Sequence, residues 1–239
     1  MTPRQAAFFD VDDTLITVTS MFRFLRYDCA AQNQPWLYDR TRDEMRALRA
    51  GGAPRADTNR VFYRAFAGRR VEEVAERGAA WFAAELRAGG LFDPAVLDVL
   101  RRHRAAGRLI VLVSGSFPAC LDPVAEFVDA DELLCSLPGV RDGRYTGELT
   151  TPMIGPFKAA AVRALAATRR LDLAGSWAYG DHLSDVPLLE MVGHPVAVGA
   201  DPELAEHARR HDWLTLPGPT PAGAGTSGAA GRLGQRQVG

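Results

Sequence analysis

Lysine is almost missing from this chain. Of its 28 basic residues only Lys158 is a lysine, so a position that keeps one is a position where arginine does not serve. Cysteine is scarce as well. Cys29, Cys120 and Cys135 are scattered and form no Cys-x-x-Cys pair, which speaks against a disulfide framework or a thiolate metal site. Free thiols of this kind fit a reducing cytoplasm, the compartment expected here. No apolar run approaches the ~20 residues that span a bilayer. The apolar start Ala6-Ala7-Phe8-Phe9 is cut short by Asp10 and reads as neither a signal peptide nor a transit peptide. Neither sign of charge prevails: a formal net charge of −1 over 239 residues gives no reason to expect nucleic acid or an anionic membrane as partner.

What is present suits one α/β domain carrying an insertion, since 47% hydrophobic residues suffice for a core at this length. Continuously apolar, β-prone runs at Ala6–Val11, Arg108–Val113, Ser176–Tyr179 and Pro195–Val198 read as buried parallel strands. Helical patterns lie between them. Asp93-Pro94 is an N-cap followed by proline at the first helical position, and Gly107 closes that helix. Further helices are expected over Phe157–Arg170, Ser184–Val192 and Pro202–Arg210. The alternation predicts a doubly wound, Rossmann-like parallel sheet. Residues 18–90 break it, with amphipathic stretches around Met21–Ala30, Trp36–Ala50, Arg55–Ala67 and Val71–Ala88. The expected organisation is therefore an α/β core of 1–17 and 91–216, a helical cap of 18–90 inserted after the first strand, and a disordered tail of 217–239. Asp142-Gly143 marks a β-hairpin within 138–150.

The chemistry-bearing residues stand at strand ends. Phe8-Phe9-Asp10-Val11-Asp12-Asp13-Thr14 places three carboxylates within four positions at the end of an apolar run, a costly arrangement unless a cation neutralises them. A plain acidic turn, capped by Asp12 or Asp13, is the alternative. Tyr179-Gly180-Asp181-His182-Leu183-Ser184-Asp185 repeats the pattern at a second strand end. Each of its carboxylates alone could be an N-cap; the two clusters together compose a hard oxygen site that suits Mg²⁺. His182, with no second His or Cys nearby, reads as a rim residue. Ser114-Gly115-Ser116 follows a strand and opens a helix, where a hydroxyl and free N–H groups can seat a phosphate, although serine is also a common N-cap. Lys158 stands near a helix N-terminus, where it opposes the macrodipole unless an anion is present.

Asp-x-Asp-x-Thr, strand–Ser, Lys and Gly-Asp-x-x-x-Asp, in that order over residues 6 to about 200, resemble the haloacid dehalogenase superfamily of phosphohydrolases. The helical insertion resembles the cap of its phosphoserine-phosphatase-like subfamily, IB. The resemblance implies a phosphoric monoester hydrolase in which Asp10 is the nucleophile and Asp12 the acid and base. Ser114, Gly115 and Lys158 would bind the phosphoryl group, and Thr14 would fix the loop. Asp10, Asp12 through its carbonyl, Asp181 and Asp185 would serve Mg²⁺. It implies a small phosphorylated metabolite as substrate. Phosphoserine phosphatases carry a glutamate nine residues after the nucleophile; here Thr19 stands there, so phosphoserine is only an alternative. A catalytically silent module and transfer to an acceptor other than water are two more. From the insertion, Arg23, Arg60, Tyr63 and Arg64 are the candidate substrate contacts.

Overall fold

The computed structural model describes residues 4–199 and 201–218, so the expected tail lies from 219 on outside the described residues. Eight strands are present among them: β1 (Ala6–Phe9), β2 (Leu109–Ser114), β3 (Glu132–Cys135), the hairpin β4 (Leu137–Arg141) and β5 (Arg144–Thr151), then β6 (Trp177–Gly180), β7 (His194–Val198) and β8 (Leu214–Leu216). The helices are α1 (Ser20–Ala31), α2 (Pro35–Ala50), α3 (Arg55–Tyr63), α4 (Val71–Ala88), α5 (Pro94–Ala105), α6 (Pro118–Phe127), α7 (Pro156–Arg169), α8 (Val186–Leu189) and α9 (Pro202–Arg210). Among the described residues no helix is long and apolar enough to cross a membrane.

Six strands form one parallel sheet in the order β3-β2-β1-β6-β7-β8. This is the doubly wound α/β sheet expected from the sequence. β1 and β2 are buried throughout, which is why they read as unbroken apolar runs. Alternate residues serve opposite layers: Ala7 and Phe9 join the core shared with α1, α3 and α4, while Ala6 and Phe8 face the layer of α7 and α8. The chain winds outward from β1 through β2 to β3, then crosses to β6 on the other side of β1. That reversal opens a crevice at the carboxyl ends of β1, β2 and β6, the place where open α/β sheets bind ligands.

The insertion is helical, as expected, with α1 to α4 between β1 and β2. The helix expected over Arg55–Ala67 ends at Tyr63 and continues as a 3₁₀ turn, Arg64–Phe66. Phe24, Phe62 and Phe66 of the insertion pack around Phe117, the residue preceding α6, and Trp81 packs on Phe24. α4 lies especially close to α6. Pro123, inside α6, has no N–H for the Ala119 carbonyl, and Gly78 of α4 sits against that oxygen: a Cβ on Gly78 would lie 1.7 Å from it. The hairpin turns at Asp142-Gly143, both at positive φ (50° and 70°), as the sequence predicts.

Other boundaries differ. β1 stops at Phe9 because Val11 begins a turn whose carbonyl accepts from Thr14, Leu15 and Ile16. The helix expected over Ser184–Val192 shrinks to a 3₁₀ turn, Leu183–Asp185, and α8, since Pro187 is tolerated only in a first turn. Behind the sheet edge, the buried His103 ring nitrogen Nε2 lies 2.7 Å from the Tyr179 hydroxyl at the end of β6. Burial, aided by Arg108, lowers the His103 pKa to about 4.

Candidate active site

The two acidic clusters meet. The Asp10 backbone N–H donates to the Tyr179 carbonyl across the β1–β6 edge (2.9 Å), so both strand ends release their acidic residues into one crevice. Asp10, Asp181 and Asp185 bring carboxylate oxygens within 4.8 Å of one another. Gly180 permits this, because a Cβ there would stand 2.7 Å from the Asp185 Cβ. Thr14 Oγ1 donates to Asp181 Oδ1 (3.0 Å), tying the first loop to the second. Asp185 Oδ2 also accepts the His182 backbone N–H at 3.2 Å. His182 itself stands outside this carboxylate group and caps the 3₁₀ turn, its Nδ1 accepting from the Ser184 N–H (3.0 Å).

Lys158 is the counterion. It enters from the first turn of α7, almost wholly buried, and its Nζ donates to Asp10 Oδ1 (2.8 Å) and Asp185 Oδ1 (2.7 Å). A more rigid, forked guanidinium matches bidentate carboxylates, whereas a single compact ammonium can serve two separate ones. Burial by itself would lower the Lys158 pKa, but Asp10 and Asp185 outweigh it and hold the ammonium raised. Three carboxylates against one ammonium leave two negative charges. Burial, together with Asp10 and Asp185, accordingly pushes the Asp181 carboxyl up to about 8, and burial raises Asp10 against the pull of Lys158. Oxygen donors carrying an excess of two negative charges fit a hard divalent cation such as Mg²⁺.

Asp12 is held differently. Its Oδ1 accepts the backbone N–H of Ser20, the first residue of α1 (3.0 Å), so it caps that helix and stays outside the three-carboxylate group. It keeps partial solvent contact through the cleft, yet desolvation still pushes its carboxyl up to about 7, against the hydrogen bonds from Ser20. Asp13, at φ 58°, turns outward and accepts the Thr19 hydroxyl (2.8 Å). Ser114 ends β2, with its Oγ accepting the Ser116 N–H at 3.1 Å. The Gly115 carbonyl draws three donors: Asn59 Nδ2 (3.1 Å), the Tyr63 hydroxyl (3.3 Å) and Ser136 Oγ (2.8 Å).

All these acidic groups, with Ser114, Gly115 and Lys158, line one cleft. The insertion covers its other wall with Thr19, Met21, Phe22, Met45, Arg49, Thr58 and Asn59. The insertion residues expected from the sequence to touch substrate have other partners, and Arg23 lies on an adjoining pocket that shares Asp13 and Asp181 with the cleft. Arg23 pairs with Glu85, Arg60 with Asp57 and Arg64 with Glu44, and none of the three lines the cleft. Tyr63 is buried and spends its hydroxyl on Gly115. Arg49, which does line the cleft, carries no mark in the sequence, because it stands in an arginine-rich stretch.

A haloacid dehalogenase-like hydrolase family model matches residues 7–190. The chain belongs to that family. It is similar to the inhibition of morphological differentiation protein of Streptomyces azureus, 35% identical over 90% of this chain and 78% of that protein. It is also similar to a probable phosphatase of Mycobacterium tuberculosis, 29% identical over 95% of this chain and 84% of that one. Among solved structures, a Bordetella pertussis protein of unknown function superposes with a TM-score of 0.80 at 28% identity, covering 90% of this chain and 99% of that chain. A phospho-aspartyl intermediate analogue of phosphoserine phosphatase superposes with a TM-score of 0.64 at 17% identity, over 90% and 94% of the two chains, a likeness of fold. The enzyme class expected from the motifs, a phosphoric monoester hydrolase, stands with these relatives.

Proposed function

We propose that this haloacid dehalogenase-like hydrolase is a Mg²⁺-dependent phosphatase that cleaves a small-metabolite phosphomonoester through an aspartyl-phosphate on Asp10. The observation that carries the reading is the buried ammonium of Lys158 shared by Asp10 and Asp185 beside Asp181. This arrangement is under-neutralised by two charges and open to the cleft. Asp10, Asp181 and Asp185, with the Asp12 carbonyl, would hold Mg²⁺, which when bound supplies positive charge to the phosphoryl oxygens.

Asp10 attacks phosphorus with one carboxylate oxygen, and the bond from phosphorus to the leaving oxygen breaks in line with it. Lys158 and Ser114 lie where the equatorial oxygens gather charge and stabilise it. A carboxyl titrating near 7 suits Asp12 to give its proton to the leaving alkoxide, then to take one from the water that opens the aspartyl-phosphate. The Ser20 N–H fixes its orientation for both steps. The helices of residues 18–90 act as a cap that limits the cleft to small substrates and keeps water out during transfer.

The test is phosphate release from a panel of small phosphomonoesters, phosphoserine included, with Mg²⁺ or EDTA, by the native chain and Asp10→Asn. Release that requires Mg²⁺ and disappears in Asp10→Asn is the expected result. No release, together with no Mg²⁺-dependent binding of a phosphate-mimicking metal fluoride, refutes the reading in favour of a silent module on this fold.

A further inference from the structure

The Gly115 carbonyl has two lone pairs and three donors. Two of the donors, Asn59 Nδ2 and the Tyr63 hydroxyl, come from α3 of the insertion, one turn apart on the same helix face. The third, Ser136 Oγ, belongs to the core and itself accepts the Met153 N–H (2.9 Å). One donor satisfies a buried carbonyl, so the surplus does more than saturate it. The amide that carries this oxygen ends in the Ser116 N–H, which donates to Ser114 Oγ. Hydrogen bonds at the two ends of one amide strengthen each other, and three donors on its oxygen fix its plane. Ser114 Oγ is thereby held as an acceptor, which leaves the hydroxyl hydrogen to be used elsewhere. Among the described residues no other group bonds to that hydroxyl, although Ser114 is only 1% exposed and lines the cleft. Tyr63, by contrast, stands behind the cleft lining, and burial pushes its phenol well above the ordinary range, so it stays a donor.

We propose, resting on the phosphatase reading above, that Tyr63 and Asn59 are positioning residues for phosphoryl transfer. Through the Gly115–Ser116 amide they hold the Ser114 hydroxyl as a donor to a phosphoryl oxygen. The insertion then takes part in binding the transferring group as well as covering it. The rival is a plain packing role, in which the same bonds only fasten α3 to the loop after β2.

A double-mutant cycle separates the two. The full chain carries Tyr63→Phe, Asn59→Leu or both, each with Ser114 in place and with Ser114→Ala. Three quantities are measured: the Kd of beryllium trifluoride with Mg²⁺ by calorimetry, kcat and KM for p-nitrophenyl phosphate, and stability by urea unfolding. Beryllium trifluoride mimics the phosphoryl group and has no leaving group, so any contact of Asn59 with the rest of a substrate does not enter. Tyr63→Phe should weaken mimic binding and lower kcat/KM about threefold, and the two changes together about tenfold. Ser114→Ala alone should weaken the mimic about tenfold, which leaves its binding measurable. In the Ser114→Ala chain the effects of Tyr63→Phe and Asn59→Leu should shrink to within about 1.5-fold, because the hydroxyl they act on is gone. Tyr63→Phe keeps the ring packed on Phe62 and Phe117; if it nevertheless unfolds the chain, Asn59→Leu carries the same cycle alone. Effects of equal size with and without the Ser114 hydroxyl, or none while it is present, overturn the proposal in favour of packing. A native chain that binds no beryllium trifluoride with Mg²⁺ and releases no phosphate from any ester overturns the phosphatase reading, and this positioning role with it.

Discussion

Replacing Lys158 by methionine keeps most of the volume and removes the one ammonium shared by Asp10 and Asp185. Lys158 is only 4% exposed, so no water replaces the lost charge. Breaking a buried ion pair from one side costs about 3–5 kcal/mol, because the orphaned carboxylate stays behind. The orphan can escape by taking up a proton, at about 1.4 kcal/mol for each pH unit above its unfolded value near 4. The sign follows: a carboxyl raised in the folded state contributes stability below its unfolded pKa and loses it as pH rises. Lys158→Met in EDTA should therefore cost about 1–2 kcal/mol at pH 5 and about 4 kcal/mol at pH 8, where burying the bare charge becomes the cheaper course. In a chain of this size that is a fall in Tm of roughly 8–16 °C at pH 8. Saturating Mg²⁺ should restore more stability to the variant than to the native chain. Phosphate release should remain at least about 100-fold down, since the phosphoryl oxygens lose a donor. Urea unfolding followed by circular dichroism, with EDTA or Mg²⁺ at both pH values, measures each term. A loss under about 1 kcal/mol at pH 8 in EDTA, or one equal at both pH values, refutes the role of Lys158 as counterion.

Gly180→Ala would set a Cβ 2.7 Å from the Asp185 Cβ, so activity titrated with Mg²⁺ should require more metal and fall about tenfold; an unchanged Mg²⁺ curve contradicts the close approach. Gly78→Ala drives a methyl into the Ala119 carbonyl and should cost about 2 kcal/mol or more in urea unfolding, whereas a neutral substitution would mean that α4 and α6 separate freely. His103 titrates near 4 when folded against 6.5 ordinarily, so its neutral form is fully compatible with folding above pH 6.5. Stability should fall as pH drops from there towards 4, by at most about 3 kcal/mol. His103→Gln should flatten that slope, and parallel native and variant curves would refute the assignment.

The candidate site was legible in the sequence because its residues violate ordinary expectations where they stand. Carboxylates clustered after apolar runs, and a lone lysine at a helix start, are unfavourable arrangements unless chemistry requires them, and the structure brings Asp10, Asp181, Asp185 and Lys158 together. β1 and β2 were legible because both faces are buried. β3 and β8 were not, because they are short, partly exposed edge strands of four and three residues, Glu132–Cys135 and Leu214–Leu216. The insertion's contacts escaped for a different reason. Arg23, Arg60, Arg64 and Arg49 look alike in sequence, and only packing shows that three meet a nearby acid while the fourth reaches the cleft. Asn59 and Tyr63 hold the Gly115 carbonyl from a helix more than fifty residues away, a relation that periodicity does not encode.

The seam between α4 and α6 ties the histories of two distant positions together. Pro123 deprives the Ala119 carbonyl of its helical donor, and Gly78 leaves room for that oxygen. Any larger residue at 78 is barred while the carbonyl stands there, so in descendants of this chain the pair should change jointly or not at all. α2 has no such backbone lock: Met45 is packed in the core, but the exposed, cleft-facing Arg49 is free to drift. One side of the insertion can thus change its lining of the cleft while the other side stays fixed to α6.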